Sequence, residues 1–507
     1  MSAKQNDEDC DETTAIKRSY SQELGSSQGH LYNSSTGGLS KRYIVAIMSF
    51  FGFANLYALR VNLSVAIVAM TTNHTVSVNG SDIQEQDFNW SSTTRGLVLS
   101  SFFYGYIITQ LPGGWLASKF GGKYLFGGGI LGTAVLSIIT PPVAQLSVYA
   151  LVALRLVEGL FEGVTYPCMH AIWAKWAPPL ERSKLATIAF SGSYFGTVIS
   201  LPLSGVMADS IGWAWIFYIF GMVAIVWFLF WLWLVAETPE SHPTISHAEL
   251  EYIQQSIGFT ENQVKGQPIP WKDIFFSMPV WAIIMAHFAE NWGFYTMLTE
   301  LPSYLSSVFN YELHKSGFMS AIPYLVMVIM IQVGGQLADL IRKRKLLSTT
   351  NTRKAFNVTG FIGQAAFMLA VAYTKSMAAA LVCLSFAVGI GGFAWAGFSV
   401  NHLDIAPQFA SVLMGLSNTF ATIPGIVSPL LTGHVVKYGG AEEWQVIFFL
   451  ASAIYVAGAV FYLLFASGRQ QPWAEVPLAY QPQMDDTTSQ EITHSYGQEI
   501  DEVEDEN

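Results

Sequence analysis

The stretch RLVEGLFEGVTYPCMH, residues 155–170, sets Arg155, Glu158 and Glu162 inside an otherwise apolar run. Spacings of three and four put the three charges on one helical face, and Tyr166 continues the stripe. Each charge at the middle of a membrane helix costs roughly 2.5–3.5 kcal/mol, so three facing lipid would cost about 8–10 kcal/mol. That face must meet protein or water. One arginine pairs fully with one carboxylate, so a second carboxylate is left over within this helix, and desolvation favours the protonated form of an acid. Such a group takes up and releases protons. The alternative is structural, with Arg155 neutralising Glu158 to hold a bundle together, and spacing does not say whether Glu158 or Glu162 titrates.

Arg60 lies deep in its own apolar run without an acidic neighbour there, and Tyr57 and Ser64 share its face. A guanidinium fork flanked by hydroxyls suits a carboxylate ligand. Arg60 is equally suited to an ion pair with Glu158 or Glu162 across a bundle, and the two roles are able to alternate. Asn291 and Tyr295, one turn apart, offer hydrogen bonds to a sugar hydroxyl or serve as packing glue between helices. Glu290, with His287 one turn away, reads as a second titrating acid or as a counter-ion to Arg60 or Arg155. Ser417, Asn418 and Thr419 precede Pro424 and Gly425, which read as a helix break exposing backbone to a cavity. There is no H-E-x-x-H, G-x-S-x-G or P-loop, so the expectation is no catalytic residue, no metal site and no enzyme.

The elements that must position these residues are membrane helices. The 507 residues are 51% hydrophobic and 12% charged, against about a quarter charged in a soluble domain. Apolar runs of about twenty residues, enough to cross a hydrocarbon core, fall near 44–70, 96–116, 124–143, 148–172, 186–207, 213–236, 279–303, 316–338, 356–373, 377–400, 410–436 and 444–466. The fold class expected is an all-α membrane protein with twelve spans in two six-helix halves. A tail (1–42) leads into the first bundle (43–236); a linker carrying TPESHP and GQPIP (237–278) joins it to the second (279–467), followed by an acidic tail (468–507). With no apolar core in residues 1–42, the first span is expected to act as an uncleaved anchor.

Basic residues accumulate in cytosolic loops. Lys41, Arg42, Lys119, Lys123, Lys175, Arg182, Lys184 and the run Arg342, Lys343, Arg344, Lys345 share one side if the N-terminus is cytosolic, which puts both termini in the cytosol. Loop 71–95 then lies on the opposite side, where Asn73, Asn79 and Asn89 each head a glycosylation sequon. The net charge of −11 owes much to the tail segments NDEDCDE and DEVEDEN, read as solvated, and gives no reason to expect nucleic acid as a partner. Cys10, Cys168 and Cys383 form no disulfide or metal-ligand pattern.

The chain repeats itself. GGWLASKFGGK (113–123) is echoed by GGQLADLIRKRK (334–345), and SLPLSG before WAWIF (200–217) by SPLLTG before WQVIF (428–448). Duplicated halves suit one bundle rocking against the other around a midplane site. The loop pattern resembles the gate signature of the major facilitator superfamily, carried here by Gly114 and Lys119 in the first copy and Gly335, Asp339 and Arg342 in the second. Ser118 stands where the signature has an acid, which puts the first gate interaction in doubt.

RLVEGLFEGVTYPCMH, YALRVNLSVAI (57–67), FNWSSTTRGLVLSSFFYGYIITQLPGGWLA (88–117), HAIWAKWAPPLERSKL (170–185) and VNHLDIAP (400–407) together resemble the anion transporter family that contains sialin, vesicular glutamate transporters and sodium-phosphate cotransporters. The likeness covers residues 43–475 and is nearest to the sialin-like members. It implies proton-coupled symport of sialic acid or another acidic sugar from a lysosome, with Arg60 at the substrate and Glu158 and Glu162 in proton coupling. In HFAENWGFY (287–295), Glu290 takes the place of an arginine that the vesicular glutamate transporters carry, which disfavours glutamate. The expected partners are a small anion, a coupling proton and the bilayer, with no cofactor, and the expected working unit is a monomer. Sodium-driven phosphate or anion uptake at a plasma or vesicle membrane is the alternative.

Overall fold

The structure, a computed structural model, describes residues 39–71, 74–78, 81–85, 87–257, 268–309, 313–436, 438 and 440–474. The first half comprises α1 (Lys41–Thr71), α2 (Ser92–Phe120), α3 (Lys123–Leu146), a fourth span split into α4 (Val148–Glu162) and α5 (Thr165–Trp176), α6 (Arg182–Ile211) and α7 (Ala214–Leu234). The linker holds α8 (His247–Ile257) and α9 (Trp271–Phe276). The second half comprises α10 (Met278–Phe309), α11 (Leu313–Lys343), α12 (Thr349–Tyr373), a tenth span broken into α13 (Met377–Gly389), α14 (Gly392–Ala394), a π-helical turn Trp395–Ser399 and α15 (Val400–Ile405), then α16 (Ala410–Val435) and α17 (Ala441–Phe465). Among the described residues nine spans are long and apolar enough to cross a membrane. The other three, α2, α4 with α5, and α10, include the helices that carry Glu158, Glu162 and Glu290.

Several ends differ from the sequence expectation. α2 and α11 outrun their apolar cores by several residues at one or both ends, because backbone hydrogen bonding continues after hydrophobicity stops. The loop after α1 contains a short antiparallel hairpin, β1 (His74–Val78) with β2 (Ser81–Glu85), Val76 opposite Ile83. It is an exception to the all-α reading. Pro424 does not break its helix: α16 runs through it to Val435. The Pro424 ring removes one donor, and Asn291 Nδ2 of α10 donates to the neighbouring Ala421 carbonyl at 2.9 Å.

In lipid, helices gain little from hiding apolar surface from each other, so close packing of small residues brings them together. A Cβ on Gly105 would lie 1.9 Å from the Leu156 carbonyl oxygen, and one on Gly159 would lie 2.1 Å from that of Phe102. The α2 and α4 backbones therefore touch. Gly192 and Gly196 do the same for α6 against α1, at Phe50 and Ala54. The outer surface keeps large apolar side chains exposed, among them Leu229, Phe230, Trp233 and Leu464, as a lipid-facing belt requires.

The two halves are locked together at the end that carries the basic loops. Asp339 of α11 accepts the first amides of α6, Ser183 N at 3.3 Å and Lys184 N at 2.7 Å. This is the favourable position for an anion at a helix N-terminus. Arg342 donates to the Pro179 carbonyl, and Arg353 to Ser183 Oγ at 2.6 Å and Asp404 Oδ2 at 2.6 Å. Arg182 reaches Leu403 O at 2.9 Å. The first copy of the motif has no such lock: Ser118 donates to Trp115 O in its own helix, and Lys119 lies exposed over the Trp115 ring. Its contribution is steric: Gly114 lets α2 approach Ser411 of the opposite half, as Gly335 of the second copy lets α11 approach Thr187.

The linker is docked by charge. Buried Arg42 binds Glu181 Oε2 at 2.8 Å and Glu249 Oε1 of α8 at 3.0 Å. Burial pushes the Glu181 carboxyl up, but the charge and hydrogen bond of Arg42, with Lys343 and Lys184, outweigh it and hold Glu181 below the ordinary 4.5. An acid depressed in the folded state stabilises it above the ordinary value, and that contribution is lost as pH falls through the folded one. In detergent, melting temperature is thus expected to fall more steeply below pH about 4.5 for the native protein than for Glu181→Gln; parallel profiles would contradict the pairing. Gly159→Leu is expected to abolish monodisperse protein in size-exclusion chromatography, because the backbone contact leaves no room, whereas Gly128→Ala, with open space around it, is expected to be neutral.

Candidate functional site

Two spans at corresponding positions of the halves, the fourth and the tenth, are interrupted, the pattern that points to a transport site at the midplane. The fourth breaks at Gly163–Val164, directly after Glu162, and the tenth at Ile390–Gly391 and again through the π turn at Trp395–Ser399. Between them lies a narrow cavity with about 10 Å³ of free volume. Its lining includes Tyr57, Tyr166, Tyr194, Asn291, Tyr295 and Asn418.

Arg155 and Glu158 of α4 form an ion pair, both buried. Glu162 takes its partner from another helix: Arg60 Nε straddles its two oxygens at 3.2 and 3.3 Å. The carboxylate left over within α4 is therefore matched across the bundle, and each acid has one arginine. Both guanidinium groups lie against the aromatic ring of Phe102, Arg60 at 5.1 Å and Arg155 at 5.2 Å. Arg60 also lies over Tyr57 at 4.5 Å and Tyr106 at 4.7 Å, contacts that favour a cation. Its Nη1 and Nη2 are buried and have no hydrogen-bond partner. Arg60 thus stands directly behind the cavity wall with the open end of its fork unused. The Tyr57 and Tyr166 hydroxyls meet at 3.2 Å, joining α1 to α5 beyond the break.

The C-terminal wall contains residues that sequence reasoning placed and some that it missed. Asn291 and Tyr295 line the cavity, although Asn291 already donates to Ala421 O, and Tyr295 packs edge-on against Phe103 at 5.5 Å. His287 does not meet Glu290; its Nδ1 is 3.1 Å from Ser417 Oγ, which His402 also contacts at 2.9 Å. Glu290 forms no ion pair with Arg60 or Arg155, which belong to Glu162 and Glu158. It turns instead toward Gln364 of α12. Asn418, part of the polar patch on α16, donates to Gln110 Oε1 at 2.8 Å and Tyr106 OH at 3.1 Å across the interface. Tyr106, Gln110, Tyr194, Trp395 and Gln364 carried no charge to mark them in sequence. Asn89 is exposed before α2; Asn73 and Asn79 lie outside the described residues.

Removing one partner of a buried ion pair costs about 3–5 kcal/mol, whereas replacing both by packed apolar groups is often neutral. Arg155→Met is expected to lower thermal stability sharply and Arg155→Met with Glu158→Leu to restore it, measured by thermal shift in detergent. Equal loss in the single and double variants would contradict a purely structural pair.

The model of the Major Facilitator Superfamily matches residues 43–351. The chain is 47% identical over 442 residues to vesicular glutamate transporter 1 of Xenopus laevis, covering 86% of this chain and 77% of that one. It is 46% identical over 442 residues to vesicular glutamate transporter 2 of Homo sapiens, covering 86% and 76%. Among solved structures it resembles the proton:xylose symporter XylE bound to 6-bromo-6-deoxy-D-glucose, with TM-score 0.64, 14% identity and coverage of 87% and 98%. It also resembles the E. coli fucose:proton symporter FucP, with TM-score 0.57, 13% identity and coverage of 83% and 99%. At those identities the solved structures establish the fold alone.

Proposed function

Because the chain belongs to the major facilitator superfamily and, within it, to the anion transporter family of the vesicular glutamate transporters, we propose that it is a proton-coupled symporter of small organic anions, acidic sugars such as sialic acid foremost. The observation that carries this reading is Arg60, tied to Glu162 through Nε while Nη1 and Nη2 stay buried and unpartnered behind the cavity. Protonation of Glu162 releases its hold on Arg60, and a substrate carboxylate takes the guanidinium fork in its place. Arg60 is neutralised by Glu162 in the empty site and by substrate in the loaded one. Neither state then moves an uncompensated charge through the bilayer, which favours rocking of the halves only when both or neither ligand is bound. Glu158, already paired within its helix, positions Arg155 and is not the exchanging acid in this scheme.

The walls favour a sugar acid over a plain amino acid. Aromatic faces at Tyr57, Tyr166, Tyr194 and Tyr295 suit the apolar face of a sugar ring, and Asn291 and Asn418 suit its hydroxyls. The relatives' name points to glutamate, but Glu290, buried in the half that faces the substrate, offers no positive charge to a second carboxylate. In this reading the basic loops and both termini are cytosolic, the state locked at that end opens to the lumen, and an acidic organelle such as the lysosome supplies the protons. The protein works as a monomer.

Uptake of labelled sialic acid, glutamate and phosphate into proteoliposomes, under an imposed pH gradient and then a Na⁺ gradient, tests this. The pH gradient alone is expected to drive sialic acid uptake. Arg60→Ala and Glu162→Gln are expected to lower it roughly 100-fold, since losing one partner of a buried charge pair costs about 3 kcal/mol and about 1.4 kcal/mol is tenfold. Uptake driven by Na⁺ alone, or phosphate carried while sialic acid is ignored, would replace the proton reading with sodium-dependent cotransport.

A further inference from the structure

Glu290 sits in α10, 2% exposed, on the C-terminal side of the cavity. The other acids of the bundle interior have their charge met: Glu158 by Arg155, Glu162 by Arg60, Asp404 by Arg353, and Asp339 by the amides that open α6. Around Glu290, among the described residues, the facing groups are all uncharged. Gln364 of α12 lies against it, close enough that a Cβ on Gly391 would approach Gln364 Nε2 at 2.5 Å and Glu290 Oε1 at 3.0 Å. Tyr455 of α17 receives the Gln364 amide at 3.0 Å, and its hydroxyl presses on Gly293, where a Cβ would lie 1.8 Å away. Tyr194 of α6 and Tyr455 both stand near enough to feel its charge, and Tyr324 of α11 neighbours both of them. His287, one turn earlier on α10, is turned to Ser417. Three buried oxygens of this group have no hydrogen-bond partner: Glu290 Oε2, Gln364 Oε1 and Tyr324 OH.

We propose that Glu290, with Gln364, Tyr324 and Tyr455 around it, is a second proton-binding site, located in the C-terminal half and separate from the Arg60–Glu162 pair. An ionised carboxylate here lacks any counter-charge among the described residues, whereas the protonated acid is neutral. Its exchange route is the cavity: Tyr194 both lines it and neighbours Glu290. The two halves then carry one exchangeable acid each, Glu162 meeting an arginine and Glu290 meeting none. The proton on Glu162 compensates the substrate's charge, while the proton on Glu290 is additional, so each cycle moves one net positive charge with the substrate.

The inference rests on the proton-coupled reading, and the experiment separates the two. In proteoliposomes clamped at zero membrane potential, the sialic acid gradient that balances a fixed pH gradient at zero net flux gives the proton-to-substrate ratio. The native protein is expected to move two protons per substrate and Glu290→Gln, which mimics the protonated acid, one; Glu290→Asp is expected to restore two. The same ratio in native and Glu290→Gln protein would overturn the second site and leave the first intact, whereas a native protein that moves no protons would overturn both. Infrared difference spectra provide a readout independent of transport. A protonated-carboxyl stretch that disappears in Glu290→Gln and is insensitive to Na⁺ is expected; no such band, or one abolished by Na⁺, would overturn the proposal, the latter in favour of a cation site.

Discussion

Charge inside a low-dielectric bundle must be matched, and the arrangement of this protein follows from how each match is made. Arg155 and Glu158 satisfy one another within a single helix, and such a pair survives any rigid movement of that helix. Arg60 and Glu162 satisfy one another between α1 and the fourth span. That pair is set by the packing of two elements. Two glutamates four residues apart thus occupy different physical situations because their partners come from different helices.

Small residues make the cross-bundle match possible. The α2 and α4 backbones touch at Gly105 and Gly159, which draws Phe102 and Tyr106 against the two arginines. Phe102 touches both guanidinium groups, while Tyr106 meets Arg60 and also lines the cavity. Side chains of ordinary size at these glycines would push these rings outward and leave the charges to water or lipid. The breaks after Glu162 and around Gly391 serve the same end, since each interrupts a span beside the cavity where backbone and side chain change direction.

The two copies of the loop motif have diverged in physical role. Asp339 caps the helix that begins at Arg182, and Arg353, Asp404 and Arg182 extend this into a polar clamp between the halves. Ser118 has no carboxylate to offer α16, so the first copy contributes close packing at Gly114 instead. A clamp on one pseudo-symmetric side only makes the closed end asymmetric. Its strength rests on charged groups at helix ends.

The sequence by itself determined the membrane class, the number and approximate position of the spans, the duplicated halves and the residues carrying charge into the bundle. Hydrophobic run length and helical spacing are local properties, and the cost of buried charge singles out Arg60, Arg155, Glu158, Glu162 and Glu290 without any coordinates. Local pattern also misled: Pro424 reads as a break, yet α16 continues through it to Val435, with Asn291 of another helix donating to the Ala421 carbonyl beside it. Which arginine meets which glutamate, the distance of Glu290 from every cation among the described residues, and the tyrosine-lined cavity were decided only by the tertiary structure. These depend on distances between residues far apart in the chain, and uncharged groups such as Tyr106, Gln110 and Gln364 acquire meaning only from what they are packed against.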